Sequence, residues 1–173
     1  HPTGGTATKR LDELEESGFL QRHVPFGKKQ NDALYRLADE FSLFHIAWIQ
    51  SLGTKSPGDG YWLQQSQSPR WRAWSGNAFE GVCLKHIPQL KAALGIAGVA
   101  TTESSWRYRP PQVSTERGTQ IDLLIDRQDH TINLCEMKFS DGEFTIDKEN
   151  AAELRHKRDT FRKATRTRKN LFL

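Results

Sequence analysis

Two short apolar segments near the end of the chain restrict what it can fold into: Gln120-Ile121-Asp122-Leu123-Leu124-Ile125-Asp126 and Leu134-Cys135-Glu136-Met137-Lys138. Apolar and β-branched residues fill both, and polar Arg127-Gln128-Asp129-His130 separates them, so they read as two β-strands joined by a turn. Alternation along a strand sends Glu136 and Lys138 to one face and Met137 to the other. Paired as a hairpin, the strands bring Asp122 near Glu136. Two carboxylates and an ammonium then share one patch. Carboxylates are hard oxygen donors suited to Mg²⁺ or Mn²⁺. An ammonium beside them can hold an attacking water or steady developing negative charge. The same residues also fit a plain cross-strand ion pair on a solvated sheet.

A third acid lies upstream, in Trp74-Ser75-Gly76-Asn77-Ala78-Phe79-Glu80. Ala78, Val82, Ile87 and Leu90, with Phe79, Cys83, His86 and Leu94, recur at helical spacing, and Ser75 or Asn77 would cap the start. Packed on the hairpin, this helix brings Glu80 to the other two acids. Alternatively Glu80 is a surface residue of the first turn, favoured there by the helix dipole.

Positive charge is concentrated at the end. From Ala151 onward eight Lys and Arg face two acids, whereas the whole chain carries only +4, so everything before is net negative. Arg155, Arg158, Arg162, Arg166 and Lys169 follow helical spacing and predict a basic stripe, while Ala151, Leu154, Phe161 and Ala164 offer a docking line. Such a stripe grips phosphates, serves solubility, or docks an acidic partner. Asn170-Leu171-Phe172-Leu173 reads as the start of one more strand, following an earlier one near Thr101 to Arg109.

At the other end, Thr3 or Thr6 would cap a helix through Lys9, Leu11 and Leu14 that Gly18 stops. Short apolar segments at Phe19-Leu20 and Leu34-Tyr35-Arg36-Leu37 flank a turn-prone stretch containing Lys28 and Lys29. Helix, strand, basic loop and strand resemble the last helix and wing of a winged helix-turn-helix, in which Lys9, Arg10, Lys28 and Lys29 would touch nucleic acid. Such modules also pack between domains. A connecting helix follows Asp39, and the segment beginning with Gly53-Thr54-Lys55-Ser56-Pro57-Gly58 reads as a linker. Trp62, Trp71 and Trp74 stack bases or pack the linker against the domain after it.

Helix Glu80, strand Asp122, then Glu136-Met137-Lys138 is similar to the restriction-endonuclease-like PD-(D/E)xK nuclease core. There an acid on a helix, an acid on a strand, and an acid-x-Lys come in this order. Isoleucine stands before Asp122 where the motif has proline. More narrowly, Leu14-Glu15-Glu16-Ser17-Gly18-Phe19-Leu20, Leu34-Tyr35-Arg36-Leu37-Ala38-Asp39 and the Trp74–Glu80 phrase resemble the C-terminal part of prokaryotic archaeal-type P-loop ATPases.

The resemblance implies an α/β fold: a mixed sheet flanked by helices, with a partial winged helix-turn-helix at the N-terminus. It implies that Glu80, Asp122 and Glu136 bind Mg²⁺ or Mn²⁺ and that Lys138 acts in catalysis. DNA and an N-terminal ATPase domain are the partners it implies. The expected division is residues 1–50 for the winged helix and connecting helix, 51–73 for a linker loop, and 74–173 for the nuclease-like domain. The chain is expected to be a fragment truncated at both ends.

Composition narrows the classes. With 36% hydrophobic residues among 173 and a mean hydropathy of −0.70, the chain reads as soluble and cytoplasmic. No apolar run approaches the roughly 20 residues a membrane-crossing helix needs. Cys83 and Cys135 read as small buried hydrophobes, and without a CxxC pair no zinc site is expected. Gly53-Thr54-Lys55-Ser56 lacks the spacing of a phosphate loop and runs into Pro57, so no ATP site is expected. The competing function is a DNA- or protein-binding regulatory module without catalysis.

Overall fold

The computed structural model describes residues 4–173. Helix α1 (Gly4–Glu16) ends where Gly18 turns the chain at φ +78°, a left-handed conformation that glycine adopts at little cost. Thr6 lies inside this helix, and Thr3, the other expected cap, lies outside the described residues. Strands β1 (Leu20–His23) and β2 (Leu34–Leu37) pair antiparallel, Leu20 opposite Leu37. Asp39 caps α2 (Glu40–Phe44) by accepting from the Ser42 N–H at 2.6 Å. The helix runs on through a wide turn over His45–Ile49 and a tight one over Gln50–Leu52.

The segment 51–73, expected as a linker loop, is only partly loop. Helix α3 (Tyr61–Ser66) lies within it and α4 (Pro69–Lys85) begins in it. Ser68 caps α4, accepting from the Trp71 N–H at 3.1 Å, and Pro69 occupies a first-turn position where its missing N–H costs nothing. Ser75 and Asn77 are therefore helix interior rather than caps, and Glu80 stands well past the first turn. The tryptophans explain the early start. Buried Trp48 meets Trp71 at 5.2 Å and Trp74 at 6.1 Å between ring centres, so this stretch packs against the connecting helix. Helix α5 (Ile87–Ala93) is separate, because Pro88 has no N–H to continue α4 past His86. The residues expected on one helical face are thus split over two helices. Phe79, Val82 and Leu94 remain at least partly exposed.

The main sheet has the order β3-β4-β5-β6, formed by Thr101–Tyr108, Thr119–Arg127, Thr131–Cys135 and Asn170–Phe172. The first three strands run antiparallel, and β6 returns parallel to β5 after helix α6 (Lys148–Thr165). Helices cover both faces, so the architecture is mixed α/β. On one side Phe161 of α6, fully buried, meets Trp106 at 5.0 Å and Phe26 at 5.3 Å, over Ile121, Leu124, Ile132 and Leu134. On the other, Leu123 and Ile125 pack on Ile96, with Leu84, Ile87 and Leu90 from α4 and α5. Each such side chain stabilises the fold by roughly 1.5–3 kcal/mol. No helix among the described residues is long and apolar enough to cross a membrane.

The register of β3 against β4 slips by one residue. Ser104 pairs with Leu124 but Trp106 pairs with Ile121, which leaves Asp122 and Leu123 together opposite Ser105. This is a β-bulge, and it lets Ile121 and Leu124 face the same core although three positions apart. The Ser105 carbonyl accepts instead from the Phe26 N–H at 2.8 Å. The loop between β1 and β2 is thereby pinned to the sheet at the bulge.

Candidate functional site

Asp122 stands in that bulge. Its Oδ2 accepts from the Met137 N–H at 3.1 Å, just beyond the end of β5 at Cys135. The ladder places Leu123 opposite Cys135, so the next pair outward is Asp122 and Glu136. A side-chain bond thus continues the pairing where the backbone ladder stops. Alternation predicts Glu136-Met137-Lys138 within a strand; the stretch lies just past one.

Each acid has a distinct counter-group. Glu136 Oε2 lies 2.6 Å from the Lys157 ammonium of α6, with the two side chains 21% and 13% exposed. Glu80, in the middle of α4, has its Oε1 3.8 Å from Arg36 Nη1 on β2. Arg36 also donates to Gln21 Oε1 at 3.1 Å. Lys138 is exposed and enters no ion pair among the described residues, though its charge acts on Glu136. The structure brings Glu80, Asp122 and Glu136 into electrostatic reach of one another. Burial pushes the Glu80 carboxyl above the usual range, the Asp122 and Glu136 charges push further, and Arg36 opposes them. Burial likewise raises Glu136, with Lys157 opposing and Asp122 adding to the rise.

Beside Glu136 opens a cavity of about 870 Å³, bounded by α4 and α5, the end of β5, and the start of α6. Phe79, Cys83, Leu94, Met137, Phe144 and Ile146 supply apolar wall, and Lys138, Lys157 and Glu136 are among its polar groups. Both cysteines are free and partly buried here. Burial pushes the Cys135 thiol up to about 11.

The predicted basic stripe is shorter than its spacing suggested. Arg155 and Arg162 are exposed on α6, and Arg158 is paired with Asp159 at 2.8 Å. Ala164, expected on the docking line, is exposed. Arg166 is the C-cap, at φ 54°, and Lys169 lies beyond the helix. The Lys169 ammonium binds Asp126 and, at 3.0 Å, the Arg127 carbonyl, which ties the chain leaving α6 to the far end of β4. A helix that stops at Thr165 cannot carry these two on its face. Lys9, Arg10, Lys28 and Lys29 are exposed, with Arg10 paired to Glu13 at 2.7 Å.

Sequence reasoning missed Lys157 and Arg36. Lys157 carries a readable signal, standing between Leu154 and Phe161 at the spacing that turns a helix inward. Arg36 carries none, since its partner lies on a distant helix. As donors the three carboxylates suit a hard divalent cation, and crowded acids that resist ionisation are what such a cation relieves. Among the described residues no three Asp, Glu, His or Cys side chains are gathered tightly enough to form a ready metal cage. No protein-family model, curated protein or solved structure matches the chain.

Proposed function

We propose that this chain hydrolyses DNA phosphodiesters with a divalent metal, on the restriction-endonuclease-like PD-(D/E)xK plan. In this reading α1 and the β1–β2 hairpin are a partial winged helix, and the chain serves a larger P-loop ATPase. The observation that carries it is the Asp122–Met137 bond. It sets Asp122 against Glu136 at the open end of β4 and β5, with Glu80 in electrostatic reach. Glu80, Asp122 and Glu136 would hold Mg²⁺ or Mn²⁺, which supplies a Lewis acid and a more acidic water.

The chain's own groups divide the remaining work. Lys157 holds Glu136 in place and opposes the burial that disfavours its charged form. Lys138, uncommitted to any acid by hydrogen bond, faces the phosphate and offsets charge that grows as water attacks. In hydrolysis the water oxygen bonds to phosphorus, the bond to the leaving sugar oxygen breaks, and that oxygen takes up a proton. Arg155 and Arg162 of α6 hold the strand, with Lys9, Arg10, Lys28 and Lys29 as further contacts on the N-terminal unit.

One observation favours a second reading, a DNA- or protein-binding module without catalysis. Glu80 and Glu136 already have internal cations, as a site that has given up metal would. Calorimetric titration of Mg²⁺ and Mn²⁺ into the wild type and an Asp122→Asn, Glu136→Gln double variant separates the two. The nuclease reading expects binding that the double variant loses. Absence of binding to the wild type would leave the binding module.

A further inference from the structure

We propose that the cavity beside Glu136 receives unpaired nucleobases, so the strand this site acts on is single-stranded next to the phosphate attacked. The inference rests on the phosphodiester reading and adds the substrate's form.

It begins with the connection between β5 and α6, residues 136–147, which has no helix or strand. This connection sits at the lower edge of the roughly 12–15 residues beyond which loops without secondary structure become uncommon unless they serve a site. This one displays apolar residues to water: Phe139, Phe144 and Ile146 are 43%, 46% and 59% exposed. Phe144 and Ile146 face the cavity together with Phe79 and Leu94, and Phe79 meets Phe139 at 6.0 Å between ring centres. Apolar surface gathered in one concave place, rather than scattered, marks a binding surface.

The charges choose among occupants. Of the acids lining the cavity, Glu136 is paired with Lys157 and Glu153 with Arg117 at 2.9 Å, which leaves Glu149 near the start of α6. Among the described residues, the lining cation without an ion pair is Lys138, adjoining the acids of the site. An occupant therefore has an anionic group at Lys138 and flat apolar groups one short step away. A duplex fails this test, because its base faces are stacked inside and it offers only base edges and backbone. An unpaired strand meets it: each phosphate is flanked by bases whose faces can stack on Phe79 or Phe144 of the cavity wall. The cavity, at about 870 Å³, lies within the roughly 300–1,000 Å³ typical of small-ligand pockets.

Fluorescence anisotropy in EDTA tests this with the full chain, a labelled single-stranded deoxyoligonucleotide and the same sequence as a duplex hairpin. The single strand is expected to bind about tenfold tighter than the duplex. Phe144→Ala and Ile146→Asp, both at exposed positions, are each expected to weaken the single strand by about tenfold and the duplex little. Phe41→Ala, an exposed phenylalanine outside the cavity, is expected to leave both unchanged. Duplex binding as tight as single-strand binding, or single-strand affinity indifferent to both cavity variants, would overturn the proposal. EDTA keeps the readout apart from hydrolysis. Single-strand preference without cleavage under Mg²⁺ would sink only the catalytic reading, and duplex cleavage untouched by Phe144→Ala would sink only this one.

Discussion

Asp122 shows how one residue acquires an unusual bonding position through backbone irregularity. In a regular strand its side chain would alternate with Ile121 and Leu123. The bulge instead frees it to bind the Met137 N–H while both apolar neighbours keep their cores. The nearness of Asp122 to Glu136 was legible from two apolar segments and a short turn. The bulge was not, because it depends on the Phe26 N–H claiming the Ser105 carbonyl from far along the chain. Crowding of the acids has a thermodynamic consequence. Glu80 and Glu136 hold protons to higher pH in the fold than unfolded, chiefly through burial. The stability this lends is complete below their ordinary value near 4.5 and is lost as pH rises through the folded values. Thermal unfolding followed from about pH 4.5 to neutrality should thus decline more steeply for the wild type than for a Glu80→Gln, Glu136→Gln variant. Parallel curves would contradict the crowding. His23 is shifted the opposite way, chiefly by burial and then by Arg36.

Helix α6 links the core to the site. Phe161 fixes it to the sheet, and one turn earlier Lys157 reaches Glu136 from the same inward side. Truncating Phe161 should cost about 3–5 kcal/mol, the usual toll of a buried phenylalanine. Because Phe26 of the β1–β2 loop packs on the same ring, urea denaturation should remain a single transition, with hairpin and sheet lost together. Separate transitions would show that the hairpin folds independently. The helix and its inward Phe161 were readable from spacing. Its end was not, since arginines continue past Thr165 and only Arg166 in a left-handed cap reveals the stop. Likewise Ser68 outcompeted Ser75 as the cap of α4, because the packing of Trp71 and Trp74 on Trp48 draws the helix back to Pro69. Sequence shows which residues can cap; tertiary packing decides which one does.

Over the whole molecule, three acids come within electrostatic reach at one end of a mixed sheet, an apolar cavity opens beside Glu136, and the N-terminal hairpin reaches the same place through Arg36 and Glu80. Strand alternation and helical spacing are local properties, so the succession of sheet strands and α6 was visible beforehand, whereas α3 and the break between α4 and α5 went unread. The partners of the acids were not, because Arg36 and Lys157 become neighbours of Glu80 and Glu136 only when four separate elements pack together. On the proposed reading a divalent ion would compete with these cations for the carboxylates, so its affinity would be modest and would rise when a phosphate is bound nearby. The most direct test is cleavage of an end-labelled single-stranded oligonucleotide by the full chain with Mg²⁺ or Mn²⁺, beside Asp122→Asn and Lys138→Ala. Metal-dependent fragments are expected from the wild type, and each variant should lose at least about a hundredfold, roughly the cost of removing one key electrostatic group. Cleavage that survives Asp122→Asn, or a wild type that binds the strand and metal yet leaves it intact, would contradict the proposed reading.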